Sequence, residues 1–343
     1  MDFIEQGNKL LREGKRAEAI DLYDQAISQN PGNASAFYMK GAALHELGKN
    51  PEAVDCYDKA ISLNPSDVNF HYDKGNTLNK MKKHKEAVSC YEKAISLNPD
   101  QAGFYVAKGL ALNKIGKEGL AVECFDKAII LDPNHAYAYY SKGIALNAMG
   151  KVEHALEFYE KSIKLNPNHA NAFYFKGLAL NEMGKYEEAV GCYDKAICLD
   201  QEDADVYYNK GLALDELGKK DRALACYEKA IELNASHANA YYFKGIILNE
   251  MRKFAEAVVC YDKAISLDPE NVNIYAEKGH ALKEMGKDKE ALACYDKAIE
   301  LNPDQASDYF FKGTLLNEMG KHEEATDCYQ KGISLDPEQA DLL

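Results

Sequence analysis

A 34-residue period runs the length of this 343-residue chain. Glycine recurs at Gly7, Gly41, Gly75, Gly109, Gly143, Gly177, Gly211, Gly245, Gly279 and Gly313. Alanine recurs in the same phase at Ala19, Ala53, Ala87, Ala121, Ala155, Ala189, Ala223, Ala257, Ala291 and Ala325. A fixed period of this length excludes a set of separate globular domains, because each unit is too small to bury its own apolar faces and must stack on its neighbours. The expected organisation is a single array of ten units: 1–33, 34–67, 68–101, 102–135, 136–169, 170–203, 204–237, 238–271, 272–305 and 306–339.

The unit 136–169, AYAYYSKGIALNAMGKVEHALEFYEKSIKLNPNH, shows how each is built when its residues are numbered from one to thirty-four. Tyr139, Gly143, Leu146 and Met149 (positions 4, 8, 11 and 14) recur at helical spacing, and Gly150-Lys151 then interrupts the series as a helix C-terminus should. A second apolar series, Ala155, Tyr159, Ser162, Ile163 and Leu165, ends at Asn166-Pro167, where proline stops the helix. The unit is therefore a helical hairpin. Small residues at positions 8, 20 and 27 let helices approach closely, and aromatic residues at positions 4 and 24 fill the space between them. In the second unit Asn50-Pro51-Glu52 reads as an N-cap, a first helical position and an acidic first turn.

This pattern resembles the tetratricopeptide repeat family, with an aromatic at position 4, glycine at 8, a large residue at 11, small residues at 20 and 27, an aromatic at 24 and proline at 32. The likeness covers nearly the whole chain and implies an all-α, right-handed superhelical solenoid. Lysine replaces the family's usual leucine at position 7 in nine units, from Lys40 to Lys312. Its aliphatic stem can pack while its head reaches water. Gln201 and Ala235 replace the position-32 proline, which predicts altered local curvature near 200–236.

The formal net charge of −14 argues against nucleic-acid and membrane-surface partners, which are held mainly by excess Lys and Arg. No segment reads as a secretory leader or approaches 18 uncharged apolar residues, so the expected location is cytoplasmic. Eight of the nine cysteines, Cys56, Cys90, Cys124, Cys192, Cys226, Cys260, Cys294 and Cys328, share one position. Equivalent atoms of successive hairpins lie about 10 Å apart, too far for a disulfide, so they read as reduced packing residues. No CxxC pair or HExxH run points to a metal. The nine histidines lack a positioned nucleophile or carboxylate, and His135, His169 and His237 read as surface turn residues. No enzymatic activity and no cofactor are expected.

A binding face is a different matter. On the first helix, positions 5, 9 and 12 share a face rotated about 100° from the core face. Position 5 carries Tyr38, Tyr72, Tyr140, Tyr174, Tyr208, Tyr242 and Phe310; position 9 carries Leu110, Ile144, Leu178, Leu212 and Ile246. Position 12 carries Asn79, Asn113, Asn147, Asn181, Asn249 and Asn317. The resemblance places these residues on the wall of a concave peptide-binding groove, where an amide can both donate to and accept from an extended backbone. Packing between adjacent hairpins, or last-turn carbonyls, are competing uses for the same residues. Position 13 changes from Lys80 and Lys114 to Glu182, Glu216, Glu250, Glu284 and Glu318. The expected partner is thus a protein or peptide with apolar anchors and some basic residues, lying over the fifth to eighth units. The family's clamp for a C-terminal carboxylate wants lysine at position 5 and asparagine at position 9; here Asn8 follows Ile4 and Asn76 follows Tyr72, so that clamp is not expected.

Residues 340–343, ADLL, begin an eleventh unit without completing it, which gives an alternative expectation, a scaffold that self-associates end to end; a separate alternative is the repeat arm of a larger enzyme assembly.

Overall fold

The computed structural model describes residues 2–337. The chain divides into two compact units, Met1–Met183 and Gly184–Leu343. The first contains α1 (Phe3–Arg12), α2 (Arg16–Gln29), α3 (Ala34–Glu46), α4 (Asn50–Leu63), α5 (Val68–Lys80), α6 (His84–Leu97), α7 (Ala102–Lys114), α8 (Glu118–Leu131), α9 (Ala136–Ala148), α10 (Val152–Leu165) and α11 (Ala170–Glu182). The second contains α12 (Tyr186–Leu199), α13 (Ala204–Glu216), α14 (Lys220–Leu233), α15 (Ala238–Glu250), α16 (Phe254–Leu267), α17 (Val272–Glu284), α18 (Asp288–Leu301), α19 (Ala306–Glu318) and α20 (His322–Leu335). No strand occurs among the described residues, so the fold is all-α, as the period predicts. Residues 340–343, on which the expectation of end-to-end stacking rests, lie outside the described residues.

One contact recurs in the hairpins. The position-24 aromatic lies against the position-8 glycine: a Cβ on Gly143 would stand 2.5 Å from Tyr159 Cε1, and one on Gly75 would stand 2.7 Å from Tyr91 Cε1. Tyr23, Tyr57, Tyr91, Tyr159, Tyr227, Tyr261 and Tyr295 are at most 1% exposed. Each burial contributes about 2–3 kcal/mol.

The first-helix core is shifted from the one read off the sequence. Tyr139 and Leu146 are buried, but Met149 is 40% exposed, and Ala138, Tyr140 and Ala145 complete the face instead. The reason is the turn. Lys151 N–H donates to Leu146 O and Gly150 N–H to Asn147 O, a Schellman closure that leaves Met149 beyond the helix. Gly150 takes φ 72°, and the same left-handed corner is forced on Lys82 (φ 61°) and Arg252 (φ 59°) where glycine is absent. The Asn50 cap is also displaced by one residue: Lys49 is the N-cap of α4 and makes no side-chain cap bond, while Asn50 is already helical.

The position-7 lysines do more than reach water. Each grips the acid sixteen residues earlier, at position 25 of the preceding hairpin, at 2.5–2.9 Å: Lys40–Asp24, Lys74–Asp58, Lys108–Glu92, Lys142–Asp126, Lys176–Glu160, Lys210–Asp194, Lys244–Glu228, Lys278–Asp262 and Lys312–Asp296. The acids are about half exposed, so each pair contributes on the order of 0.5 kcal/mol. Their value is registry. Where proline is missing, the connections keep their length: α12 ends at Leu199 and α13 begins at Ala204, and α14 ends at Leu233 with α15 beginning at Ala238.

Candidate binding face

Positions 5, 9 and 12 fall on one side of each first helix, because residues three and four apart align on a helix. The aromatic at position 5 serves two purposes. Its ring packs on the position-24 tyrosine of its own hairpin, with centroids 5.8 Å apart for Tyr72–Tyr91, 6.4 Å for Tyr140–Tyr159, 6.2 Å for Tyr208–Tyr227 and 6.3 Å for Tyr242–Tyr261. Tyr140 is only 6% exposed, so it is first a packing residue; Tyr174, Tyr208 and Tyr242 are half-buried. Burial pushes the Tyr208 hydroxyl up to about 12 and raises that of Tyr242.

Beneath the stripe, a polar residue at position 9 satisfies the position-24 hydroxyl in three hairpins. Tyr23 Oη donates to Asn8 Oδ1 at 2.8 Å, Tyr91 Oη to Asn76 Oδ1 at 2.9 Å, and Tyr295 Oη lies 3.1 Å from His280 Nδ1. Where Ile144, Leu212 and Ile246 take that place, Tyr159, Tyr227 and Tyr261 keep buried hydroxyls without a hydrogen-bond partner. Leu178 is likewise half-buried.

The asparagines split in the same way. Asn79 Oδ1 accepts from His84 Nδ1 at 2.7 Å and Asn317 Oδ1 from His322 Nδ1 at 2.8 Å, so these two are held within their own hairpins. In contrast, Asn113, Asn147, Asn181 and Asn249 have half-buried side chains whose Oδ1 atoms are buried without a partner. An unpaired buried acceptor costs roughly 1–3 kcal/mol, and a bound backbone N–H would offset it.

The acidic rim is less uniform than its sequence. Glu250 pairs with Lys220 at 2.7 Å, Glu284 with Arg252 at 3.7 Å and Glu318 with Lys283 at 2.7 Å. Glu182 and Glu216 are exposed and make no ion pair among the described residues.

Two cavities open on this face in the first unit. One of about 400 Å³ is lined by Leu110, Asn113, Lys114, Glu118, Tyr137, Tyr140, Ser141, Ile144, Ala148 and Phe175. The other, about 300 Å³, is lined by Tyr72, Asn76, Asn79, Tyr91, Gly103, Val106, Ala107, Leu110, His135 and Tyr137. Both lie between the third and sixth hairpins, one or two hairpins earlier than the charge pattern suggests. They arise where small residues interrupt the period: Val106 replaces the position-5 aromatic, and Ser141 and Ala148 are small. Sequence reading passed over Tyr137, Ser141 and Phe175, although Tyr137 stands three residues before Tyr140 and seven before Ile144, which is helical spacing.

The turn histidines are also more than surface residues. His135 Nδ1 accepts from Ala138 N–H at 3.2 Å and His237 Nδ1 from Ala240 N–H at 3.1 Å, serving as N-caps. His169 lies 4.6 Å from the Tyr140 ring, and burial lowers its pKa. The cysteines are free, with burial raising Cys124, Cys226, Cys260 and Cys294.

No helix among the described residues is long and apolar enough to cross a membrane. No curated protein matches the chain. Among solved structures, a tetratricopeptide repeat protein from Parabacteroides merdae aligns at 19% identity over 73% of this chain and 98% of its own, with TM-score 0.56. PilF of Pseudomonas aeruginosa aligns at 22% identity over 59% and 92%, with TM-score 0.54. YrrB, described as a protein with an unusual peptide-binding site, aligns at 27% identity over 58% and 99%, with TM-score 0.49. The family profiles described as TPR repeat match residues 7–48, 41–82 and 177–218, and those described as tetratricopeptide repeat match 68–101, 102–135, 136–169, 158–191, 204–237, 238–271, 272–305 and 309–339. With the hairpins, the buried glycine–aromatic contacts and these matches over nearly its whole length, the chain belongs to the tetratricopeptide repeat family.

Proposed function

We propose that this chain is a non-enzymatic interaction scaffold that holds an extended segment of a partner protein along the first-helix face. The observation that carries this reading is the set of buried, unpartnered amide oxygens on Asn113, Asn147, Asn181 and Asn249 beside half-buried aromatic and aliphatic side chains. A protein interior satisfies nearly all such groups, so their repetition at the same position of several first helices supports a ligand that brings donors at intervals. An extended backbone does so without demanding particular side chains. Leu178, Leu212 and Ile246 supply apolar contact, and the free charges of Glu182 and Glu216 favour some basic residues in the partner; the charge of Glu250 is already offset by Lys220.

The test is capture from a source-cell lysate by the wild type and by a variant with Asn147, Asn181, Asn249, Tyr174 and Tyr242 changed to alanine, both shown to be equally helical. A partner retained by the wild type and lost by the variant is the expected result. Equal capture would remove this face from the binding surface.

A further inference from the structure

The larger cavity differs from the smaller one in its volume and in two unpartnered polar atoms on its lining. Its walls are the aliphatic side chains of Leu110 and Ile144 and three rings set at steep mutual angles. Tyr137 and Tyr140 lie 5.6 Å apart at 44°, and Tyr140 and Phe175 lie 5.7 Å apart at 75°. Rings so inclined receive a flat aromatic insert edge to face on one side and offset-stacked on the other. Two polar atoms lack partners: Asn113 Oδ1, and Oγ of Ser141, a residue 0% exposed. Lys114 and Glu118, one of each sign, also line it, so the lining carries no net formal charge and suits a neutral occupant. The volume of about 400 Å³ exceeds a single phenyl or phenol ring and lies in the range of small-ligand sites.

We propose that this cavity seats one tryptophan side chain of the partner segment, its indole N–H donating to Asn113 Oδ1. Indole is flat, neutral and donor-only. It therefore supplies the donor that Asn113 Oδ1 lacks, and its two fused rings fill more of the cavity than a phenol would. The proposal deepens the groove reading and rests on it for the segment that carries the tryptophan.

The chain contains no tryptophan, so the emission of an added indole reports on the site against no indole background. The probe is N-acetyl-L-tryptophanamide, titrated against the full chain alongside its 1-methylindole analogue, in which a methyl group replaces the N–H hydrogen. The expected result is saturable binding with a blue-shifted emission, and roughly tenfold weaker binding of the methylated analogue. Asn113→Leu should abolish that tenfold difference while leaving helicity unchanged. Ser141→Ala, a smaller change, keeps the test open should the first variant fold poorly: it should retain the preference for the N–H probe. No saturation by roughly 10 mM probe, or equal affinity for the two indoles in the wild type, would overturn the proposal. So would choline binding without indole binding, which would make the rings a cation site. An indole-binding failure in a protein that still captures its partner would sink the cavity assignment alone; intact indole binding with capture insensitive to the five-site variant would sink the groove reading instead.

Discussion

Hairpins 68–101 and 136–169 share a backbone and differ in how they treat their buried polar atoms. In the first, Asn76 accepts from Tyr91 and His84 donates to Asn79, so the hairpin satisfies itself. In the second, Ile144 and Val152 stand at those two places, and Tyr159 Oη and Asn147 Oδ1 are left without partners. One position per helix thus converts a self-sufficient hairpin into one that has stability to gain from an incoming donor or acceptor. Stability and binding capacity trade against each other locally, inside one fold.

The largest test of this contrast uses a charged group. Asp308 occupies position 3 of its hairpin, where the two compared hairpins bury Phe70 and Ala138; it is 2% exposed, Oδ2 has no partner, and burial raises its pKa from 3.8 to about 6. Because the folded value exceeds the unfolded one, stability falls as pH rises from about 4 to about 6 and stays reduced above. Asp308→Ala should therefore stabilise α19 and α20 by about 2–3 kcal/mol at pH 7, with the gain vanishing below about pH 4. Hydrogen exchange across that hairpin at several pH values measures it; a gain independent of pH would show that the carboxylate is not the cause.

Next in size is a pair of substitutions with opposite consequences. Tyr91→Phe strands Asn76 and should cost about 1 kcal/mol, whereas Tyr159→Phe deletes a hydroxyl that has no partner and should be neutral or slightly stabilising. Denaturant titrations followed by exchange in α6 and α10 separate the two, and equal losses would refute the distinction. A smaller effect lies at the turns. Lys82 holds the left-handed corner that Gly150 fills in the other hairpin, so Lys82→Gly should gain about 0.5–1 kcal/mol and Gly150→Lys should lose as much. The smallest change converts one hairpin into the other: Ile144→Asn should give Tyr159 a partner, shift stability by a few tenths of a kcal/mol, and weaken capture of the partner. Undiminished capture would mean that position 9 does not touch the segment.

How much of this was legible in the sequence follows from the range of each interaction. The period and the breaker at Gly150 are local signals, and they yielded the hairpins directly. The tyrosine stripe was also visible, but its division between packing and exposure was not, because Tyr140 is covered by His169 at the end of its own unit and by Phe175 of the next hairpin. Whether an asparagine is bound or unpaired depends on a residue five places later in another helix, as with Asn79 and His84. The cavities come from exceptions, Val106 and Ser141, which a search for recurring residues discards. The lysines at position 7 stand out in sequence as departures from the family pattern; their partners sixteen residues earlier meet them only across the packed junction.

Those nine ion pairs make the hairpins interchangeable parts. Every junction presents a lysine on one side and an acid on the other at one constant separation, so excising residues 136–169 would bring Lys176 onto Asp126 in place of Glu160, without rewriting either surface. A chain built this way can lengthen or shorten its reach in steps of one hairpin, and can gain or lose a binding-competent hairpin between two self-sufficient ones, while each new junction arrives with its fastening already in place.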